Sequence, residues 1–206
     1  MNLKDTYNKI AEDWHSDHRT DDWWQEGTNA FISYLKKGDS VLDVGCGSGT
    51  KSKYLLSHGL QVTGIDFSEN LLEIARQEAP EGTFLLMDVY DIDTIGKKFE
   101  GIFMQAVLLH IPKKDIESII KKAVQKLKSG GYLYVEVKEK TEGKTDEEVK
   151  IENDYGYEFQ RFFSYFTPDE VKQYFKNAGL EIVHEQLMPP SRATRKTNWI
   201  QLIGKK

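Results

Sequence analysis

Three glycines, Gly45, Gly47 and Gly49, follow the short apolar run Val41-Leu42-Asp43-Val44 and precede a helix-like stretch from Lys51 to His58. A turn of this kind uses backbone conformations that side chains obstruct, and it delivers a ligand to the amino terminus of a helix. On their own the glycines fit an ordinary strand-to-helix turn equally well. Asp66, however, ends the next apolar run, and Asp88 follows the third. An acid in the position of Asp66 accepts hydrogen bonds from the two ribose hydroxyls of an adenosine, each worth about 1.5–3 kcal/mol to a charged acceptor. Asp88 is placed to accept from an adenine exocyclic amine. Ligands of open α/β sheets bind outside such carboxyl ends.

The spacing also discriminates among adenosine compounds. A dinucleotide turn favours Gly-x-Gly-x-x-Gly, whereas the sixth position here is Thr50. Asp43, two residues ahead of the first glycine, would meet a pyrophosphate with like charge. The same carboxylate suits an α-amino group, which a methionine-derived ligand supplies together with a sulfonium. The turn therefore points to a cationic adenosine ligand.

These residues need strands and helices to carry them. Gln61 to Asp66, Thr83 to Met87, Phe99 to Val107 and Tyr132 to Val137 read as further strands. Ser68 N-caps a helix that ends before Pro80, and Asp115 opens a helix with Ile116, Ile119, Ile120, Ala123, Val124 and Leu127 on one face. Alternating strands and helices imply right-handed βαβ units, and strands with little polar alternation imply a sheet covered on both faces. Thr167-Pro168-Asp169-Glu170 spells a capping box with Pro at the first helical position. Two consecutive runs, Leu180 to His184 and Asn198 to Ile203, lack an intervening helix and should pair antiparallel. Upstream, Tyr7, Ile10, Ala11 and Trp14 share one helix face, and a second helical stretch from about Asp21 carries Trp23, Trp24, Phe31, Tyr34 and Leu35. Glu139 to Glu158 is acidic and poor in apolar residues, which predicts an exposed loop or lid. The expected fold is an α/β, Rossmann-like doubly wound, mostly parallel seven-stranded sheet. It has one antiparallel strand near the C-terminus and an N-terminal helical extension.

Val41-Leu42-Asp43-Val44-Gly45-Cys46-Gly47-Ser48-Gly49 resembles motif I of the class I S-adenosylmethionine-dependent methyltransferases. Val62-Thr63-Gly64-Ile65-Asp66-Phe67-Ser68 resembles their acidic motif, and Leu127-Lys128-Ser129-Gly130-Gly131-Tyr132-Leu133 is similar to their entry into the fifth strand. The likeness covers nearly the whole chain. It implies binding of S-adenosyl-L-methionine, with S-adenosyl-L-homocysteine as product, through Asp43, Gly45, Cys46, Gly47, Gly49, Asp66, Phe67, Asp88, Val89 and Gln105. It implies that the amino-terminal pattern folds over the cofactor, with Tyr7 or Trp14 shielding the sulfonium by about 0.5–2 kcal/mol; Trp14 fits simple helix packing equally well. The chain then reads as one domain: a helical cap (1–37), a cofactor-binding core (38–138), the acidic and substrate-side segment (139–166), and a final helix with antiparallel strands (167–206).

The acceptor side is less marked. No Asp/Asn-Pro-Pro-Tyr motif follows the fourth strand, which counts against methylation of exocyclic DNA amines. Cys46, the single cysteine, sits inside motif I, which counts against a cysteine-nucleophile mechanism and leaves no cysteine-based zinc site. His110 is placed to act as a base, or equally to cap a helix or bound the pocket. Arg161 could clamp an acidic acceptor, with Tyr165 among the aromatics that wall it; Lys138, just past the fifth strand, joins this group. Arg192, Arg195 and Lys196 read as a solvated basic loop. The net charge of −5 and the mixed charge pattern do not indicate nucleic acid. The absence of a long apolar stretch points to a cytoplasmic protein without a membrane span. A small-molecule acceptor is the leading expectation. The alternatives are an RNA or protein substrate recruited through a partner, a non-catalytic sensor of S-adenosylmethionine and, more remotely, an NAD-dependent oxidoreductase.

Overall fold

A computed structural model describes residues 2–143, 145–189 and 197–206. Arg192, Arg195 and Lys196 lie outside the described residues, as does Pro190. Helices α1 (Leu3–His18) and α2 (Gln25–Ile32) lead into β1 (Ser40–Val44), α3 (Thr50–Ser57), β2 (Gln61–Asp66), α4 (Glu69–Glu78) and β3 (Thr83–Leu86). A 3-10 turn at Val89–Thr94 precedes β4 (Phe99–Gln105), and another at Leu108–His110 precedes α5 (Lys113–Lys126) and β5 (Leu127–Lys138). Then come β6 (Glu147–Glu152), β7 (Phe159–Ser164), α6 (Pro168–Asn177), β8 (Glu181–Met188) and β9 (Trp199–Lys205). Seven of these strands form one sheet in the order β3-β2-β1-β4-β5-β9-β8. The β3-to-β5 strands run parallel, and β9 runs antiparallel to both β5 and β8.

Strand alternation divides the core into two layers. Leu42, Val44, Ile102, Met104, Leu133 and Val135 pack against Ile116, Ile120, Val171 and Phe175 of α5 and α6. Val41, Phe103, Tyr134 and Ile203 face Phe31 of α2 and Leu55 of α3. Each strand of the central four is thus apolar on both faces, as its sequence implied. The exception is β3, an edge strand on which Leu85 and Leu86 are exposed.

Helix α1 is strapped across the sheet's carboxyl end. Thr6 Oγ1 donates to Gln160 O at 2.9 Å, Asn70 Nδ2 to Asn8 O at 2.9 Å, and Ser68 Oγ to Asn8 Oδ1 at 2.7 Å. Ile10 and Ala11 bury their side chains among Leu71, Ile74 and Phe159.

The acidic segment departs from the expected loop. Residues Glu147–Glu152 form β6, which pairs antiparallel with β7 as a separate two-stranded ribbon. Its polarity is inverted: Glu148, Lys150 and Glu152 are half-buried, while Val149 and Ile151 between them are 60% and 64% exposed. A strand whose charged side chains turn inward gives no apolar-in pattern to read. Strand β5 also starts earlier than Tyr132, because Leu127 already pairs with Phe99 before a register shift at the glycines.

Gly49 caps the amino end of α3 at φ +81°, and a Cβ there would stand 2.9 Å from the Ala75 Cα of α4. Both the left-handed backbone and the helix contact demand glycine. Gly49→Ala is expected to lower the unfolding free energy by about 1–3 kcal/mol, read as a lower urea midpoint at unchanged slope.

Candidate cofactor and acceptor site

The carboxyl ends of β1, β2 and β4 open onto a cavity of about 470 Å³ roofed by Leu3, Tyr7, Trp14 and His18 of α1. Asp43, Gly45, Cys46, Gly47, Asp66, Phe67, Asp88, Val89, Gln105 and His110 line it together with Tyr7 and Trp14. Gly49 does not; its place is the α3–α4 contact. Gly47 has φ +54° with nothing within 4 Å of a notional Cβ, so its backbone borders open space.

Asp66 is held by the turn it serves. Gly47 N–H donates to Oδ2 and Ser68 N–H to Oδ1, each at 2.9 Å. Burial nevertheless raises its pKa to about 6, against these bonds. Ser68 in turn N-caps α4, accepting from Leu71 N–H. Asp88 caps the 3-10 turn by accepting from Tyr90 N–H at 3.1 Å and remains half-buried at the cavity wall. Cys46 packs its thiol with Leu72, Ala75 and Phe84, and burial pushes its pKa well up, so the sulfur is inert.

Beneath the turn, Asp43 accepts from Ser52 Oγ at 2.6 Å and is raised to about 7 by burial. Gln105 Nε2 donates to Glu136 Oε2 at 2.5 Å, but Gln105 Oε1 is buried with no partner. The fully buried Glu136 also accepts from Tyr134 Oη and Gln201 Nε2. Half-buried Lys51 enters the same cavity; burial lowers its pKa against the attraction of Asp43, Glu136 and Asp21. Sequence reasoning missed Lys51, Ser52 and Glu136. Glu136 alone carried a signal, as a lone acid within an apolar strand. Ala106 was missed too: it borders the cavity at φ 56°, unusual for a residue with a side chain and typical of functional sites.

A proton ladder closes the far end of the cavity. His110 Nδ1–H donates to Phe162 O at 2.8 Å, which leaves Nε2 to accept from Tyr7 Oη at 2.9 Å. Burial pulls the His110 pKa down to about 3, so the ring is neutral. Burial raises the Tyr7 pKa, against the nearby positive charge of Arg161. Lys138, Arg161 and Tyr165 do not line this cavity. They gather behind the wall, around the Phe163 ring, which lies 4.9 Å from His110.

Comparisons with known proteins bear on the family and the fold. A family profile described as a methyltransferase domain matches residues 11–185. The chain belongs to the class I S-adenosylmethionine-dependent methyltransferase family. Over 102 residues it is 35% identical to a ubiquinone biosynthesis O-methyltransferase of Coxiella burnetii, covering 48% of this chain and 43% of that protein. Over 166 residues it is 32% identical to phosphoethanolamine N-methyltransferase 1 of Zea mays, covering 77% and 32%. The chain thus spans less than half the length of these curated relatives. Among solved structures, it superposes on the 1,6-didemethyltoxoflavin-N1-methyltransferase of Burkholderia thailandensis with a TM-score of 0.77 at 18% identity, over 99% of this chain and 87% of that one. Magnesium protoporphyrin IX methyltransferase from Synechocystis gives 0.74 at 18%, over 99% and 95%. At this identity the superpositions show the fold. No helix among the described residues is long and apolar enough to cross a membrane.

A cationic ligand needs Asp43 and Asp66 ionised, and their raised values place that ionisation near neutrality. Above about pH 7 both carry charge; as pH falls, Asp43 protonates first and Asp66 about a unit later. S-adenosylhomocysteine affinity in calorimetry is therefore expected to fall roughly tenfold between about pH 7 and 6 and more steeply below, where both carboxylates protonate. Asp43→Asn should weaken binding at pH 8 and remove the upper part of this fall, leaving the lower step of Asp66.

Proposed function

We propose that the protein transfers a methyl group from S-adenosylmethionine to a small-molecule acceptor. The observation that carries the reading is the cavity behind the glycine turn lined by Asp43, Asp66, Asp88 and Gln105, with the Gly47 backbone bare toward open space. Asp43 is the carboxylate for an α-ammonium group there. Lys51 is the complementary cation for an α-carboxylate. Asp66, fixed by Gly47 and Ser68, offers its remaining lone pairs to a ribose, and Asp88 takes the base. S-adenosylmethionine supplies a methyl group on a sulfonium, an already good leaving group.

With such a leaving group, holding the acceptor in line and excluding water contribute much of the rate. Tyr7, Trp14 and Phe67 cover the cavity from the α1 side, with ring centroids 5.7 and 5.9 Å from Tyr7. His110, neutral and engaged at both nitrogens, is a positioning residue: it holds the Tyr7 hydroxyl at the end of the cavity near Arg161. The names of the relatives support a small acceptor, since phosphoethanolamine, 1,6-didemethyltoxoflavin and magnesium protoporphyrin IX are all low-mass compounds.

Incubation with methyl-labelled S-adenosylmethionine and a metabolite extract is expected to yield a labelled low-mass product, and label confined to RNA or protein would overturn the small acceptor. Asp66→Ala should abolish the product and weaken S-adenosylhomocysteine binding roughly ten- to a hundredfold. A nicotinamide cofactor raising the melting temperature where S-adenosylhomocysteine does not would refute the cofactor assignment. Tyr7→Phe keeps the ring, so S-adenosylhomocysteine affinity should change by less than about threefold while kcat on the labelled acceptor drops roughly tenfold.

A further inference from the structure

One face of the sheet carries a row of buried polar side chains near its carboxyl end. Asp43 of β1 pairs with Phe103 of β4, so Gln105, two residues on, stands on the same face. Gln105 pairs in turn with Glu136 of β5, and Glu136 with Gln201 of β9. All four are buried, Glu136 and Gln201 completely. Asp43 and Gln105 line the cavity, whereas Glu136 and Gln201 stand behind them and do not.

The row is polarised by Glu136. Gln105 Nε2 donates to its Oε2 at 2.5 Å and Gln201 Nε2 to its Oε1 at 3.0 Å, while Tyr134 Oη donates to Oε2 at 3.2 Å. A carboxylate only accepts, so it turns the donor ends of both amides toward itself. The other ends, Gln105 Oε1 and Gln201 Oε1, are buried with no partner among the described residues. A buried acceptor without a donor is unfavourable, so the two amides keep this orientation because Glu136 imposes it. Helix α2 lies directly on the row: a Cβ at Gly27 would stand 2.4 Å from Tyr134 Oη and 2.5 Å from Gln201 Nε2. A glycine inside a helix is itself unfavourable, and here it permits the close approach.

The hydrogen bond from Gln105 is the link between Glu136 and the cavity. Were that amide reversed, its N–H donors would leave Glu136 and join the wall that Gln105 shares with Asp43. Donors there oppose an ammonium group, which also has only donors to offer. We propose that Glu136 is a positioning residue for the amino-acid end of the cofactor: by holding the Gln105 donor it keeps that wall selective for an α-ammonium group. The proposal rests on the methyl-transfer reading and assigns to its site a residue that does not touch the ligand.

S-adenosylhomocysteine and 5′-methylthioadenosine separate this role from a purely structural one, because the second is the same nucleoside thioether without the amino-acid end. Both affinities are read by calorimetry on the full chain. Glu136→Leu removes the acceptor and releases the Gln105 amide. It is expected to weaken S-adenosylhomocysteine roughly tenfold while changing 5′-methylthioadenosine by less than about twofold. The double exchange Gln105→Glu with Glu136→Gln rebuilds the bond in the reverse direction and places a carboxylate, which has no donor, in the cavity wall. It should recover S-adenosylhomocysteine affinity to within about threefold of the wild type. A Glu136→Leu protein that folds and weakens both ligands alike, or neither, overturns the proposal. So does an exchange variant that keeps 5′-methylthioadenosine but not S-adenosylhomocysteine, and this second variant decides alone if the first does not fold. Wild-type protein that binds no S-adenosylhomocysteine refutes the methyl-transfer reading instead.

Discussion

Two backbone amides, from Gly47 and Ser68, converge on the carboxylate of Asp66, and much of the site hangs on that convergence. The bonds tie the turn after β1 to the end of β2 and to the cap of α4. They fix the orientation of the carboxylate and leave the backbone of Gly47 facing open space. They also compensate a charge that burial would otherwise disfavour, since an unpaired buried carboxylate tends to take up a proton. The turn's shape and the acid's ionisation are thus one constraint seen from two sides.

The protein separates charge into two compartments. Asp43, Asp66 and Asp88 line the cavity, while Lys138 lies beyond His110, over the Phe163 ring. Between them lies a wall of aromatic rings and a neutral imidazole, which adds no charge of its own.

Much of this was legible because parallel strands covered on both faces leave apolar runs that stop abruptly. Asp43, Asp66 and Asp88 stand at or beside such stops, and the Thr167–Glu170 capping box and the antiparallel β8–β9 pair announce themselves in the same local way. What stayed hidden depends on partners far apart in the chain. Glu136 is explained by distant Gln105 and Gln201, and Gly49 by Ala75. The ribbon was hidden for a different reason. With Val149 and Ile151 outward and its charges inward, β6 reads as solvated loop until the cluster it faces is seen. Arg161 reads from the sequence as a clamp for an acidic acceptor, whereas its guanidinium is forked to Glu152.

Helix α1 has a consequence for how the site opens. One face of it roofs the cofactor cavity, while its hydrogen bonds reach α4 on one flank and β7 on the other. Lifting it unseals the donor end and loosens the ribbon over the acceptor end in the same movement. The two flanks of the cavity therefore cannot open independently of each other.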